Sequence, residues 1–151
     1  MSQGLEFEVR NRLSSAQVED LLRLYGNEWW SAQRTRPDVE RMLEASDLLF
    51  AIIEKESSSL AAFARVLTDR TYLALVLDVI VAPEYRGGGL GRLLVERICS
   101  EPILQNVASI ELVCQPELVP LYEKWGFSEN VGRSRLMRRT SHDRRPRFRA
   151  G

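Results

Sequence analysis

The sequence predicts a single α/β domain built around a mixed β-sheet. Three observations lead there. The chain has 151 residues, 44% hydrophobic and 28% charged, which suits one ordinary globular core and is too short for two. Strand-like and helix-like hydrophobic periods alternate along it. The longest apolar stretch, residues 72–81, is broken only by Asp78 and leads straight into a glycine-rich turn and a helical pattern. A strand of that composition is expected in the middle of a sheet, covered on both faces.

Taken in order, residues 5–10 alternate apolar and charged side chains, as a half-exposed strand does. Ser14 and Ser15 can cap a helix whose apolar positions are Val18, Leu21, Leu22 and Tyr25. Thr35-Arg36-Pro37-Asp38 fits a second helix start, with Val39, Met42 and Leu43 facing inward. Residues 48–53 and 60–67 read as a hairpin joined by the polar turn 55–59. After the strand at 72–81 and its glycine turn comes a helix patterned by Leu93, Leu94, Arg97 and Ile98. Residues 107–114 are a further strand. A short helix, regular from Pro120, runs to Trp125, where Gly126 can end it in the left-handed conformation. Residues 127–131 and 133–137 are expected to supply the last two strands.

Composition narrows the function classes. No apolar run approaches the roughly 20 residues of a membrane-spanning helix, so no membrane partner is expected. Residues 1–6 lack the basic-then-apolar layout of a secretory signal. Cys99 and Cys114 are too few for a disulfide framework and have no metal-ligand spacing, so a reducing cytoplasm and no metal are the expectation. The net charge of zero hides an asymmetry: residues 131–151 carry eight arginines against Asp143 alone, a balance of +7, and the rest of the chain carries −7. That basic segment reads either as a solvated strand end with a loose terminus or as a nucleic-acid arm. The absence of an aromatic platform or recognition motif, and the acidic body, argue against nucleic acid. The expected organisation is a domain over residues 1–139 and an arginine-rich tail over 140–151.

The chemistry is concentrated in Val79-Ile80-Val81-Ala82-Pro83-Glu84-Tyr85-Arg86-Gly87-Gly88-Gly89-Leu90-Gly91-Arg92. A glycine turn between a buried strand and a helix gathers backbone N–H groups at a helix N-terminus, which is a phosphate site. The dinucleotide fingerprint fails here: starting at Gly87 its third glycine falls on Arg92, and starting at Gly89 it falls on Leu94. A P-loop fails because the segment has no lysine. What remains is Arg-x-x-Gly-x-Gly at Arg86, Gly89 and Gly91. This resembles the signature with which GCN5-related N-acetyltransferases (GNATs) bind the pyrophosphate of acetyl-coenzyme A, and the preceding strand, Pro83 and Tyr85 match the family's usual wording. Leu121-Tyr122-Glu123-Lys124-Trp125-Gly126-Phe127 resembles the family's second signature, one helix and one strand further on.

The resemblance covers most of residues 5–139 and implies the rest. The fold would be a mixed, mostly antiparallel sheet of six to seven strands, splayed between the fourth and fifth and flanked by helices. Backbone groups of Val79, Ile80 and Val81 would pair with the pantetheine arm, and amides of Gly87, Gly88, Gly89, Leu90, Gly91 and Arg92 would hold the pyrophosphate, with glycine at 89 and 91 leaving room for phosphate. Gln115 stands where relatives often have a pantetheine-binding asparagine. Tyr122 would protonate the departing thiolate, a task suited to a phenol whose ordinary pKa lies near that of an alkyl thiol; its apolar spacing with Leu118, Leu121 and Trp125 also fits a core role. The base that deprotonates the amine falls to a carboxylate, Glu111 beside the cofactor or Asp78 in the buried strand, or to a water chain, since the lone His142 lies in the tail. Asp78 either contacts substrate or pairs with backbone or an arginine inside the fold. Glu28 and Trp30 lie where the family forms its acceptor pocket; a tryptophan there is either core or a wall of that site. The reaction implied is direct acetyl transfer from acetyl-coenzyme A to a small-molecule or protein amine, by a monomer or homodimer, without metal or covalent enzyme intermediate. The alternative is a coenzyme-A-binding regulator without turnover.

Overall fold

The computed structural model describes residues 4–141. Five strands form one sheet in simple order: β1 (Phe7–Arg10), β2 (Leu48–Glu54), β3 (Leu60–Thr68), β4 (Leu73–Val81) and β5 (Ser109–Leu112). The first four are antiparallel neighbours and β5 runs parallel to β4. Four α-helices lie among the described residues: α1 (Ser15–Gly26), α2 (Arg36–Ala45), α3 (Leu90–Cys99) and α4 (Val119–Glu123). Local sequence sets the helix starts. Ser14 and Gln17 form a reciprocal capping box at α1, the Ser14 hydroxyl accepting from the Gln17 amide and the Gln17 side chain from the Ser14 amide. At α2 the Thr35 hydroxyl accepts from the Asp38 amide, and Pro37 occupies the first turn.

Period-two alternation divides the sheet between two helical layers. Phe50 and Ile52 of β2, with Ala62, Ala64, Val66, Ala74 and Val76, pack against Leu90, Leu94 and Ile98 of α3. Ala51, Ile53, Phe63 and Ile80 pack against Leu21 and Tyr25 of α1 and Val39 of α2. Each large side chain so buried contributes roughly 1.5–3 kcal/mol.

One irregularity decides where the site lies. Along β3 and β4 the register passes from Arg65↔Leu77 to Phe63↔Ile80, so β4 carries one extra residue. Asp78 sits in this bulge with φ of 57°, a left-handed backbone that aspartate tolerates better than most residues. The bulge inverts the alternation of β4. Ala74 and Val76 face α3 before it, whereas Val79 and Val81 join that cluster after it. Asp78 and Ile80 therefore turn to the α1–α2 side.

Pairing between β4 and β5 runs only from Leu73↔Ser109 to Val76↔Leu112. Beyond Val76 the β4 edge is open, which is the expected splay between fourth and fifth strands. The sheet is smaller than expected, because residues 127–131 and 133–137 form no strands. The Asn130 side chain accepts from the Gly132 amide, and Gly132 turns the chain with φ of 68°. Val131, Leu136 and Met137 are exposed. Three apolar residues scattered among arginines offer no face to bury, and burial of one face is what sustains an added strand. The helix at α4 also differs: it begins one residue before Pro120 and ends at Glu123, followed by a turn closed by Gly126 at φ of 88°. The tail from residue 142 onward, His142 included, lies outside the described residues.

Candidate active site

The glycine turn comes straight off the open end of β4. Gly87 and Gly89 have φ of 81° and 82°, values at which a Cβ would be strained. Gly89 is the N-cap of α3 and no side chain caps the helix, so its first amides are left to an outside acceptor. The reason for glycine differs between the two positions first read alike. Gly89 is required by backbone conformation. A Cβ on Gly91 would meet only Val81 Cγ2, at 3.8 Å, so the protein itself has room there. Leu90 is buried in the α3 layer, so it can offer only its backbone. The donor set, uncapped amides beside an open strand edge at Val79, Ile80 and Val81, fits a pyrophosphate followed by an extended amide-bearing arm. One part is already occupied, since the Val81 carbonyl accepts from Arg86 Nε at 3.2 Å. Arg86 continues to Glu28 at 3.3 Å. Its guanidinium thus ties the glycine turn to the α1–α2 connection; Arg92 is exposed on α3.

Tyr122, on α4, is only 5% exposed, and its ring meets Phe127 edge-on at 5.9 Å. Its neighbours in the expected stripe do not share its burial: Leu118 is exposed, and Leu121 and Trp125 are half-buried. No hydrogen bond within the described residues engages the Tyr122 hydroxyl, yet among them no buried side-chain oxygen or nitrogen lacks a partner. The hydroxyl therefore opens on accessible space. Burial, with a lesser effect of Cys114, pushes its pKa up to about 12, so the phenol stays protonated throughout the neutral range. It is also a weaker acid than free tyrosine, so proton delivery to a thiolate is less evenly balanced than the sequence suggests.

Residues 11–141 match the acetyltransferase (GNAT) domain family. The chain belongs to that family. It is 29% identical over 97 residues to an uncharacterized N-acetyltransferase, ycf52, of Pyropia yezoensis, covering 63% of this chain and 56% of that protein. It is 35% identical over 100 residues to the chloroplastic serotonin N-acetyltransferase 2 of Oryza sativa subsp. japonica, covering 64% and 49%. The chain thus spans about half the length of these curated relatives. A crystal structure of a protein assigned to the GNAT family, from Xanthomonas campestris pv. campestris, superposes with a TM-score of 0.77 at 26% identity, over 90% of this chain and 94% of that one.

Within the GNAT frame, four residues expected at the site are engaged by the protein itself, Asp78 through the arginine pairing that was one of its two readings. Asp78 is not free to meet substrate or act as a base. Its carboxylate accepts from Arg34 Nη1 and Nη2 at 2.6 and 3.2 Å, from Arg65 Nε at 2.7 Å and from the Tyr25 hydroxyl at 2.9 Å. Burial opposes its charge, but the bonds and charges of Arg34 and Arg65 outweigh that and hold its pKa below the ordinary value. Gln115, with its amide oriented to suit both neighbours, accepts from Trp29 Nε1 at 3.0 Å and donates to Glu117 at 2.7 Å. Both amide ends are thereby engaged, and a pantetheine contact would have to displace one. Glu28 is taken by Arg86. Trp30 is half-buried against the Tyr25 ring at 6.1 Å and backs the Arg34 guanidinium at 5.5 Å, which is the core reading of this tryptophan.

Glu111 keeps its candidacy. Ile110 and Leu112 of β5 face the α3 layer, so Ser109 and Glu111 face the other side, the side of Asp78. Glu111 is exposed and accepts from the Ser109 hydroxyl at 3.3 Å. Sequence reading missed Tyr25, Arg34 and Arg65, which together hold Asp78. The available signal was Arg65 itself, a lone charge within the apolar run Leu60–Thr68, where burial demands a partner. No helix among the described residues is long and apolar enough to cross a membrane.

Proposed function

We propose that the chain transfers the acetyl group of acetyl-coenzyme A directly to an amine. The observation that supports this most is the continuity of the uncapped amides at the α3 N-terminus with the open edge of β4, a track that suits a pyrophosphate followed by pantetheine. Acetyl-coenzyme A, when bound there, supplies the activated thioester. The amine nitrogen attacks its carbonyl carbon, the N–C bond forms and the C–S bond breaks. Tyr122 gives its hydroxyl proton to the leaving sulfur, and the proton shed by the amine passes by way of Glu111 or water back to the phenolate. The family membership and the relatives named N-acetyltransferases support an amine acceptor.

Gly91 allows a test in which folding and ligand binding are expected to move apart. Its Cβ position is open within the protein, and an acidic residue in the first turn favours the helix dipole. Gly91→Asp should leave the melting temperature unchanged or raised. Calorimetry should show acetyl-coenzyme A affinity falling at least about 10-fold, because the carboxylate meets the pyrophosphate. A wild-type protein that ignores acetyl-coenzyme A in the same measurement would overturn the proposal.

A further inference from the structure

The side of β4 facing α1 and α2 holds more positive than negative charge. One carboxylate, Asp78, faces two guanidiniums, Arg34 and Arg65, while the Tyr25 phenol is held neutral, its pKa raised first by burial and then by Asp78. The Asp78 carboxylate already accepts four bonds and has nothing further to give. Arg65 uses only Nε on it, and no acceptor within the described residues meets its Nη1 or Nη2. Because no buried side-chain nitrogen there lacks a partner, those donors open to solvent through the 13% of the side chain that is exposed.

This is not an ordinary surface arginine. Its guanidinium is fixed at one end by Asp78, and its neighbour Arg34 lies over the Tyr25 ring at 4.5 Å and before Trp30 at 5.5 Å. Two planar cations held by Asp78 and largely desolvated, with the Arg65 Nη1 and Nη2 donors open to solvent, match a carboxylate or phosphate in charge and in fork geometry. Their place also matters. The Asp78 bulge lies just beyond Val76, where β5 stops pairing and the β4 edge opens, and Glu111 faces the same side of the sheet.

We infer that the acceptor amine carries an anionic group, a carboxylate or a phosphate ester, which Arg65 and Arg34 hold on the α1–α2 side of β4. The inference rests on the acetyl-transfer reading above. Arg65 and Arg34 are binding residues in it, and Asp78, Tyr25 and Trp30 position them. The acceptor would carry both signs: an amine drawn to an acidic body and an anion drawn to the Arg65–Arg34 pair.

The test separates anion binding from acetyl transfer. Protein labelled with 15N at arginine, with and without coenzyme A, is titrated with benzoate and with benzamide, and the Arg65 Nε–H signal is assigned from its loss in Arg65→Lys. Benzoate should shift the Arg65 and Arg34 signals saturably, and benzamide should not. In kinetics, amines supplied as matched carboxylates, phosphate esters and neutral amides should divide by charge, with kcat/KM at least about 10-fold higher for the anions, chiefly through KM. The carboxylate and phosphate arms identify which anion is preferred. Arg65→Gln should bring that ratio toward one while coenzyme A affinity holds, and Arg65→Lys, which keeps the charge, should retain part of it even if the glutamine variant folds poorly. Signals that move equally for benzoate and benzamide, or for neither, overturn the inference, as do amides acetylated as fast as acids. A protein that binds benzoate but not acetyl-coenzyme A overturns the transfer reading and leaves the anion site standing.

Discussion

Tyr25 and Tyr122 are both buried, at 0% and 5% exposure, in regions built on opposite principles. Around Tyr25 the hydroxyl donates to Asp78 and the ring carries Arg34 on its face and Trp30 at its edge. Its polar atom is consumed by the fold. Around Tyr122 the ring is packed on Phe127, but the hydroxyl has no acceptor among the described residues and opens outward. Burial alone therefore says little about role. What separates the two tyrosines is whether the protein has already spent the hydroxyl.

Breaking the Tyr25 region should have the largest effect on stability. Asp78→Asn keeps a residue type that tolerates the left-handed backbone but leaves Arg34 and Arg65 buried without a counter-charge. Urea denaturation should show a loss of about 3–5 kcal/mol. The same variant has a pH signature. The depressed Asp78 pKa means its contribution is full above the unfolded value of about 3.9 and fades as pH falls toward the folded value. The stability gap between wild type and Asp78→Asn should thus be constant above about pH 5 and narrow below about pH 4. A gap that stays open in acid would show that the cluster acts through packing and not through charge.

Paired tyrosine variants sharpen the comparison. Tyr122→Phe should lower kcat by roughly 10²-fold, with melting temperature and coenzyme affinity nearly unchanged, because it deletes only an unspent hydroxyl. Tyr25→Phe should do the reverse, costing about 1.5–3 kcal/mol for a bond to a charged acceptor, with a smaller change in turnover. If the two variants behave alike, the distinction between spent and unspent hydroxyls fails. The smallest effect is expected from truncation after Thr140, which removes a segment with Phe148 as its one aromatic residue. Melting temperature should change by no more than about 1–2 °C and turnover hardly at all. A large loss of either would give the arginine-rich tail a part in the site.

Most of the framework was legible because it is written locally. The Ser14 cap of α1, the Thr35-Arg36-Pro37 start of α2, the polar turn of the β2–β3 hairpin and the left-handed Gly126 each act within a few residues, and each occurs where expected. The glycine turn was legible for the same reason, since backbone conformation and helix start are short-range consequences of Gly87, Gly89 and the apolar pattern after them. The two missing strands show the limit of that reasoning. Residues 127–131 and 133–137 have a plausible local pattern but no buried face to join, and a strand is stabilised by what it packs against.

By itself, then, the sequence determined the helix caps, the register-setting alternation, the glycine turn that opens α3 and the presence of Tyr122 after it, because these depend on neighbours along the chain. Tertiary structure alone decided which polar groups remain available for chemistry. The extra residue in β4 turns Asp78 away from α3 and toward Arg34, Arg65 and Tyr25, the closest of which is 13 residues distant along the chain. No spacing rule links those four positions. They meet because a bulge reverses the pleat and α1 packs on the reversed face, and a buried carboxylate there is stable only with cations brought to it.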